Sequence, residues 1–536
     1  MTLDLLLVSH QKDYRQLLKD GVKKKEFGKA GRVKIGPTSA ATALKQMAAW
    51  SKETVLVLDA ELPSTASGQP DKAEYKPALE ILNKRPLSDD GRPVPPAIVI
   101  VPRTIPMSEI DNYCNWENRA IALPLNHLSD GNVLKAFVTM LSSLPAWTVV
   151  ELDVDSRYAH CQFKGVDGQP IVWGSASLEN YVSPRELADQ FANFQLSPGW
   201  AKQLHDAGKQ VFSSLLLPVI GAGLFSHLEH SAGGLGKLAF RFRVDQPELY
   251  TAPFEATVRR SRQDAANFAN QLTYHPFMLL HAPITRRAHF NPKRSVALTP
   301  RPEQPRMLFI RAQPGEHPGA ETESDLLMLE STDPNTRATK KVQRQFDRLK
   351  NIDQERDLLE QLHGVTIEKL DLSVGRGKAK ASKTLENFLK GKSFDVIHFA
   401  GHSLTWEGFT MLVLPGEESG QAEAMAAETF ASLASKAGAR LVYLSSCEGS
   451  SASAVTAFAQ YDIPCVLGFR WVVNDASAAN FAKAFYEALF HDRKTICLAL
   501  REACSGAYKP EKVESSAIWA SPILASQWDD WSTRAL

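Results

Sequence analysis

Short apolar segments, separated by amphipathic stretches, recur through most of the 536-residue chain. The first part holds LDLLLVSH (3–10), TVLVLDAELP (54–63), AIVIVP (97–102) and RAIALPL (119–125). The same alternation of segments returns from Met307 onward, with the apolar segments MLFIRAQ, TIEKLDL, FDVIHFAGH and ARLVYLSSC. Apolar runs of strand length that alternate with helical segments are typical of parallel sheets covered by helices. The pattern therefore predicts a mixed α/β protein.

The middle of the chain has a different residue pattern. WTVVELDVD and YAHCQFKGVDGQPIVWG indicate antiparallel strands, with a hairpin turn at VDGQ. A helical pattern follows from Ser183 to Leu216, and LAFRFRVD (238–245) is again strand-like. Further on, apolar residues at helical spacing predict one long helix from about Arg337 to His363. We expect three domains, at 1–145, 146–304 and 305–536.

Composition excludes several classes of protein. The chain has 61 Lys and Arg against 60 Asp and Glu, and this balance argues against a dedicated nucleic-acid binder and a polybasic membrane anchor. No apolar run approaches the roughly 20 residues of a spanning helix, and MTLDLLLVSH lacks the positive leader of a signal peptide. The six cysteines form no CxxC pair, which favours reduced thiols in a cytoplasmic protein. We expect no cofactor and no metal.

Two strand-like segments in the last part of the chain end in reactive side chains. One runs from Val396 to Phe399 and leads to His402; the other begins at Leu441 and leads to Cys447, 45 residues after the histidine. In open α/β sheets, ligand sites form at the carboxyl ends of the strands. The separation suits one crossover helix and a hairpin-sized insertion, so adjacent strands would bring the two side chains together.

A cysteine and a histidine in this arrangement suit nucleophilic catalysis. A thiol at its free pKa is mostly protonated at pH 7, and a neighbouring imidazole can accept that proton and return it to a leaving amine. The alternative for Cys447 is a buried structural thiol, which is common in apolar strands. His398, four residues before His402, is expected to be structural, because its segment is a strand and lacks the glutamate of a helical metal motif.

The segments HFAGHS and YLSSCEGS together resemble the histidine and cysteine motifs of CHAT-domain peptidases, caspase-like bacterial proteases related to separase. The resemblance extends to three further segments: LAFRFRVDQPELYTAPFEA (238–256), HAPITRR (281–287) and IPCVLGFRWVVNDASAANFAKAFYEAL (463–489). Phe254 stands where the family commonly has Trp, and Ser403 where it has Gly or Ala. The resemblance implies a β-rich accessory half and a caspase-like α/β core.

The resemblance also implies an activity. His402 would be the general base and acid, Cys447 the nucleophile, and the backbone N–H groups of Ser403 and Cys447 the oxyanion donors. Asp475 would bind a basic P1 side chain, although a helix N-cap is an equal alternative for it. The enzyme would be a latent endopeptidase in bacterial antiphage defence or programmed cell death, activated by a sensor or effector protein and cleaving a protein substrate. A non-catalytic adaptor and a small-molecule cysteine hydrolase are the alternatives.

The first 145 residues resemble a response-regulator receiver, a flavodoxin-like, doubly wound unit. VLVLDAELP matches the strand that presents the phospho-acceptor, here Asp59. Ser9 and His10 replace the usual acidic pair, Pro102 replaces Thr or Ser, and Leu123 replaces Lys. Without the acidic pair, Mg²⁺ has too few carboxylate ligands. We therefore expect a pseudo-receiver that binds a partner and is not phosphorylated.

Overall fold

The chain is described from a computed structural model. The described residues are 3–23, 30–50, 54–65, 75–87, 94–102, 114, 119–125, 148–155, 158–164, 170–177, 182–192, 194, 196–221, 224–225, 228, 238–244, 246–258, 277–288, 302–314, 324–332, 339–373, 379–446, 451–471, 473–509, 512 and 516–526. They form two compact units. The first comprises 1–152, 158–177 and 213–240, and the second comprises 153–157, 178–212 and 241–536. The three predicted domains stay a prediction.

The first unit contains a five-stranded parallel sheet with the order β2-β1-β3-β4-β5. Its strands are β1 (Leu3–Val8), β2 (Ala30–Ile35), β3 (Thr54–Asp59), β4 (Ala97–Val101) and β5 (Ala120–Pro124). Its helices are α1 (Lys12–Lys23), α2 (Ala40–Gln46) and α3 (Lys76–Lys84). The sheet confirms the four apolar strands predicted there. Sequence reasoning missed β2, because this edge strand is largely exposed and carries polar residues.

Antiparallel strands follow the parallel sheet in the chain, as the extended segments in the middle of the sequence predicted. Strands β6 (Thr148–Val154), β7 (Tyr158–Lys164) and β8 (Pro170–Ser177) precede the helices α4 (Pro184–Ala192), α5 (Trp200–Val211) and α6 (Leu217–Ile220), and β9 (Leu238–Val244) comes next. β7 and β8 pair as an antiparallel hairpin. The VDGQ turn lies outside the described residues.

The second unit is built on a mostly parallel sheet. The remaining strands of the chain are β10 (Ile284–Ala288), β11 (Arg306–Arg311), β12 (Ser324–Thr332), β13 (Thr339–Asp347), β14 (Thr366–Asp371), β15 (Val396–Ala400), β16 (His402–Trp406), β17 (Phe409–Pro415), β18 (Ala422–Ala426), β19 (Leu441–Ser445), β20 (Cys465–Phe469) and β21 (Pro522–Ser526). The remaining helices are α7 (Ile352–Glu360), α8 (Ala381–Leu389), α9 (Ala427–Lys436), α10 (Ala452–Gln460), α11 (Asp475–Tyr486) and α12 (Ile496–Ala507). Within the main sheet the order is β14-β11-β15-β19-β20-β21-β10, and all of these pairs are parallel except β20–β21.

Strand β15 shows how the sheet divides the core of this unit. Its residues alternate between the two faces of the sheet, since the period of a strand is two. Ile397 and Phe399 enter the apolar core formed with α8, α9 and α10. His398 stacks between Phe309 and Tyr443, at ring-centroid distances of 5.2 and 4.6 Å.

The second unit also contains two small antiparallel sheets. β12 pairs with β13, and β16, β17 and β18 form a three-stranded meander. Leu327 and Leu329 of β12 pack with Val413 of β17 in a small apolar cluster that Phe346 and Trp406 extend. The meander and α9 occupy the chain between the two motifs, as the 45-residue separation predicted.

The long helix predicted from Arg337 to His363 is wrong. The segment forms strand β13 and then the shorter helix α7. Val342 and Phe346 are four residues apart, a spacing that places two side chains on one face of either a helix or a strand. Their partners in β12 are Leu329 and Asp325. The spacing alone therefore could not distinguish the two structures.

Two further predictions concern the cysteines and membrane-spanning segments. Cys114, Cys161, Cys465, Cys497 and Cys504 are buried, and Cys447 lies outside the described residues. Among the described helices, none combines the length and the apolar character that crossing a bilayer requires.

Candidate active site

The two predicted motifs follow neighbouring strands of the main sheet. β15 and β19 pair in parallel, and Ala400 stands opposite Ser445. The N–H of Gly401 donates to the carbonyl of Ser445 over 3.3 Å, which continues the ladder beyond the strand ends. The structure thus confirms that the chain leaves both strands at the same edge. His402 lies at this edge, whereas Cys447, two residues after Ser445, is outside the described residues.

Gly401 is the only residue between β15 and β16. A Cβ atom at this position would lie 2.8 Å from the carbonyl oxygen of Ala312 and 3.0 Å from the ring of Phe399. Real Cβ atoms rarely approach backbone oxygens so closely, so the step from the main sheet to the meander requires a glycine. This explains the glycine that precedes His402 in the motif.

His402 is oriented by a backbone carbonyl. Its Nε2 atom lies 2.7 Å from the carbonyl oxygen of Asp347, the last residue of β13. A carbonyl only accepts hydrogen bonds, so Nε2 carries the proton and donates it. In the neutral ring, Nδ1 is then the nitrogen that can accept a proton. The sequence could not reveal this partner, because a carbonyl has no residue signature and the segment was predicted to be helical.

The surroundings of His402 favour its neutral form. Burial lowers the pKa of the imidazole, while the Asp347 carbonyl and, more weakly, the Asp475 carboxylate oppose this shift. Desolvation disfavours the charged form of any group, and here it outweighs the nearby acceptors. The Phe346 ring, 5.4 Å from the imidazole, supplies part of this apolar contact. A mainly neutral histidine at pH 7 is suited to accept a proton.

Asp475 is engaged with the residue that precedes α7. Its carboxylate accepts hydrogen bonds from the backbone N–H and the side-chain amide of Asn351, at 2.9 and 2.8 Å. Burial would raise the pKa of Asp475, but the bonds from Asn351 hold it below its ordinary value. The N-cap of α11 is Asn474, whose side chain accepts from the N–H groups of Ala476 and Ser477. The predicted binding of a basic side chain by Asp475 stays a prediction.

The side chains of the two motifs also meet directly. The hydroxyl of Ser403 donates to that of Ser446 over 3.0 Å, and both residues are buried. Ser403 is the second residue of β16 and lies opposite Leu412 of β17. The oxyanion role of the Ser403 N–H remains an expectation.

Sequence reasoning missed Glu355, the buried carboxylate beneath the strand ends. It lies on α7, is 4% exposed and accepts the hydroxyl of Ser445 at 2.9 and 3.1 Å. Its Oε1 atom is also 3.1 Å from Nε2 of His398, whose Nδ1 lies 3.1 Å from the hydroxyl of Tyr486. His398 is fully buried, as a structural residue would be. Glu355 belongs to no motif, and its partners are 43 and 90 residues away in the chain, so the local pattern gave no signal for it.

A narrow cleft runs between these groups. Its volume is about 40 Å³, room for a few water molecules but not for a large side chain. It is lined by Leu349, Ile352, Glu355, Ala400, Gly401, His402, Ser445, Ser446, Phe469, Val473, Asp475 and Ala478. Among the described residues, no group of three or more His, Cys, Asp and Glu side chains is arranged to bind a metal.

A second buried polar cluster joins three of the segments that carry the family resemblance. Arg286 of HAPITRR binds both carboxylate oxygens of Glu255 of TAPFEA, at 2.6 and 2.7 Å. Arg470, directly after β20, donates to the same carboxylate. Arg286 also donates to the carbonyls of Tyr250 and Ala252. These signature residues therefore form one buried ion cluster.

The chain is similar to one family model and to several solved structures. Residues 206–527 match the family model described as the CHAT domain. No curated protein matches the chain. Two structures of the Saccharomyces cerevisiae separase–securin complex, at 3.0 and 2.6 Å resolution, are similar at 8% and 10% identity with TM-scores of 0.33 and 0.32. Each match covers 71% of this chain and 30% of that chain.

A third similar structure is Marinitoga piezophila Argonaute in complex with 5′ OH guide RNA. It has 12% identity and a TM-score of 0.16, and the match covers 53% of this chain and 39% of that one. TM-scores this low carry no argument about fold or function, so the family match is the comparison that bears on the site.

Proposed function

This chain belongs to the CHAT-domain family, and from that membership we propose that it is a latent cysteine endopeptidase with a Cys447–His402 dyad. The observation that carries the proposal is the parallel pairing of β15 with β19, which puts Ala400 opposite Ser445. In the sequence, His402 comes two residues after Ala400, and Cys447 comes two residues after Ser445. A base and a nucleophile at one sheet edge are what acyl transfer requires.

The mechanism assigns each group one task. Nδ1 of His402 takes the proton of the Cys447 thiol, and the thiolate attacks the scissile carbonyl carbon. The N–H groups of Ser403 and Cys447 stabilise the oxyanion. The imidazolium then protonates the leaving amine as the C–N bond breaks and a thioester remains. Water, deprotonated by His402, hydrolyses the thioester, and the thiolate leaves.

The orientation of His402 supports this sequence of steps. The Asp347 carbonyl fixes the Nε2 proton, so the other nitrogen stays available as the base. We further propose that Asp475 binds a basic P1 side chain, because its carboxylate lines the same cleft as His402 and its pKa is held low.

The direct test compares the proteins cleaved in cells that express the wild type or Cys447→Ala. New protein N-termini, identified by mass spectrometry, should appear only with the wild type. Cys497→Ala, which removes a buried thiol of α12, is the matched control and should retain cleavage. If Cys447→Ala produced the same new termini, or kept full biological activity, the adaptor function would replace the peptidase.

The resemblance also supports a role in bacterial antiphage defence or programmed cell death, in which a sensor or effector protein activates the protease. This role predicts that cells expressing the wild type plate phage less efficiently than cells expressing Cys447→Ala. Equal plating of the two strains by every phage tested, in the presence of the native neighbouring genes, would contradict it.

We propose that the parallel sheet of the first unit is a receiver-like partner-binding unit that does not accept a phosphoryl group. Asp59 ends β3 and is fully buried, and its carboxylate accepts the hydroxyl of Ser9 at 2.6 Å. Nδ1 of His10 lies 3.3 Å from the same oxygen. Incubation with acetyl phosphate and Mg²⁺ should leave the mass of the protein unchanged, whereas an adduct lost in Asp59→Asn would refute this assignment.

A further inference from the structure

Helix α7 contacts the surroundings of both motifs. It begins five residues after Asp347, whose carbonyl orients His402. At its N-cap, Asn351 is bound through its backbone and its side chain by Asp475 of α11. One turn into the helix, Glu355 binds the hydroxyl of Ser445, the last residue of β19. Helix α7 therefore contacts Asp475, which lines the cleft with His402, and Ser445, the last residue of the strand that leads to Cys447.

The helix is also fixed to the sheet at a third point. Arg311 of β11, which is 4% exposed, donates to both carboxylate oxygens of Asp353 over 2.9 and 3.2 Å. Burial would raise the pKa of Asp353, but Arg311 holds it below its ordinary value. Paired guanidinium bonds of this kind define direction as well as distance. The position of α7 relative to β11 is therefore well determined.

The environment of Glu355 is unusual for a buried carboxylate. Among the described residues, its partners are the imidazole of His398 and the hydroxyl of Ser445, and neither is a permanent cation. The phenols of Tyr443 and Tyr486 are close enough that burial, together with the Glu355 charge, raises their pKa values well above the ordinary range. Burying a carboxylate without a permanent cation is costly. An apolar residue would fill this position with less loss of stability.

We propose that Glu355 is a positioning residue, which through Ser445 holds the chain that leads to Cys447 in register with His402. The inference rests on the proposed function. Hydrogen bonds to a charged acceptor are shorter and stronger than neutral ones, so the carboxylate fixes the Ser445 hydroxyl firmly. Cys447 follows two residues later in the chain. Misplacement of a reacting group by about 1 Å can reduce a rate by about 100-fold, so small shifts at Ser445 matter.

The test measures the reactivity of Cys447 and needs no substrate. The full-length protein is treated with iodoacetamide across a pH series, and alkylation is quantified cysteine by cysteine by mass spectrometry. A thiol whose proton a neighbouring neutral imidazole accepts reacts below the free-thiol pKa of about 8.5. The buried thiols are internal controls, because burial raises the pKa of Cys465 to about 12 and also raises those of Cys497 and Cys504.

Glu355→Gln keeps the shape of the side chain and one acceptor oxygen, but it replaces the other oxygen with an NH2 donor and removes the charge. We expect it to slow the alkylation of Cys447 roughly tenfold at about pH 6.5 and to leave the rate at about pH 9.5 unchanged. Ser445→Ala should have the same effect, and the double variant should be no worse than either single variant, because both act through one contact. Glu360→Gln, on the exposed end of the same helix where Glu360 pairs with Lys369 at 2.6 Å, should behave like the wild type.

The outcomes separate the two proposals. If His402→Ala leaves the wild-type pH profile unchanged, the dyad itself fails. If the profile depends on His402 but Glu355→Gln retains the reactivity at low pH, only the positioning role fails. A merely structural role would expose the five buried thiols to alkylation in Glu355→Gln, and that result would also overturn the inference.

Discussion

Glu255 and Glu355 are both buried carboxylates of the second unit, at 1% and 4% exposure, yet their charges are compensated differently. Glu255 binds two guanidinium groups, those of Arg286 and Arg470. Glu355 accepts a hydroxyl, lies 3.1 Å from an imidazole nitrogen and lines the cleft beside His402. The first arrangement contains permanent cations, and the second contains none among the described residues.

This difference indicates two different tasks. Burial would raise the pKa of Glu255, but the charges of Arg286 and Arg470 outweigh it and lower the pKa. That cluster joins three separate segments of the chain and is suited to hold them together. The partners of Glu355 carry no permanent charge, and Glu355 and Ser445 line the same cleft as His402. We infer that the arginine cluster serves stability and that the Glu355 network serves positioning.

The largest expected effect comes from removing the charge of Glu255. Glu255→Gln leaves Arg286 and Arg470 buried with an uncompensated charge, which should lower the free energy of unfolding by about 3–5 kcal/mol. Urea denaturation measures this change. Glu248→Gln, at an exposed position nearby, is the control and should alter stability by less than about 0.5 kcal/mol. A loss below about 1 kcal/mol in Glu255→Gln would remove the basis for the comparison.

The pH dependence of the free energy of unfolding gives a second test of the structural role of Glu255. The folded pKa of Glu255 is lowered, so its contribution is present above the unfolded pKa of about 4.3 and is lost as the pH falls through the folded pKa. Glu255→Gln cannot titrate, so its unfolding free energy should depend less on pH in this acid range. Denaturation curves between about pH 3 and 7 test this expectation. An unchanged slope would contradict it.

Glu355→Gln should affect stability less than Glu255→Gln does. The amide still accepts from Ser445, and no buried guanidinium loses its counter-charge, so we expect a loss of no more than about 1.5 kcal/mol. The same urea titration gives this value. A loss as large as that of Glu255→Gln would show that the two carboxylates have the same structural role.

A smaller effect is expected on the imidazole of His402. The Asp475 carboxylate raises its pKa against the effect of burial, so Asp475→Asn should lower that pKa further. Histidine NMR titrations in a Cys447→Ala background measure it without interference from the thiol. A pKa that rises in Asp475→Asn would show that the carboxylate does not act on His402 by charge.

The smallest effect is expected at Asp59, a third buried carboxylate, which contacts Ser9 and His10. Burial outweighs the bonds from Ser9 and His10 and raises its pKa, so its contribution to stability is lost as the pH rises through the folded pKa. Asp59→Asn should therefore stabilise β3 by less than about 1 kcal/mol at pH 7 and not at about pH 4. Hydrogen exchange of β3 peptides tests this. Destabilisation at pH 7 would contradict the prediction.

The sequence predicted the parts of the molecule that depend on local pattern. The apolar strands up to Asp59 and those leading to His402 and Ser445 were found because buried parallel strands are short and continuous in sequence. The site's supporting contacts were not found. The Asp347 carbonyl has no sequence signature. Glu355 follows a segment that was wrongly predicted to be helical, so its position relative to the strand ends could not be predicted. Both depend on contacts between residues far apart in the chain.

The single-residue connection at Gly401 has a consequence for how such proteins diversify. Because β15 ends at Ala400 and β16 begins at His402, length changes farther along the meander β16–β18 need not shift the register of β15 against β19. Insertions in the turns of the meander can therefore accumulate while the imidazole keeps its place at the sheet edge. We therefore expect the meander to tolerate changes of length that leave the position of His402 at the sheet edge unchanged.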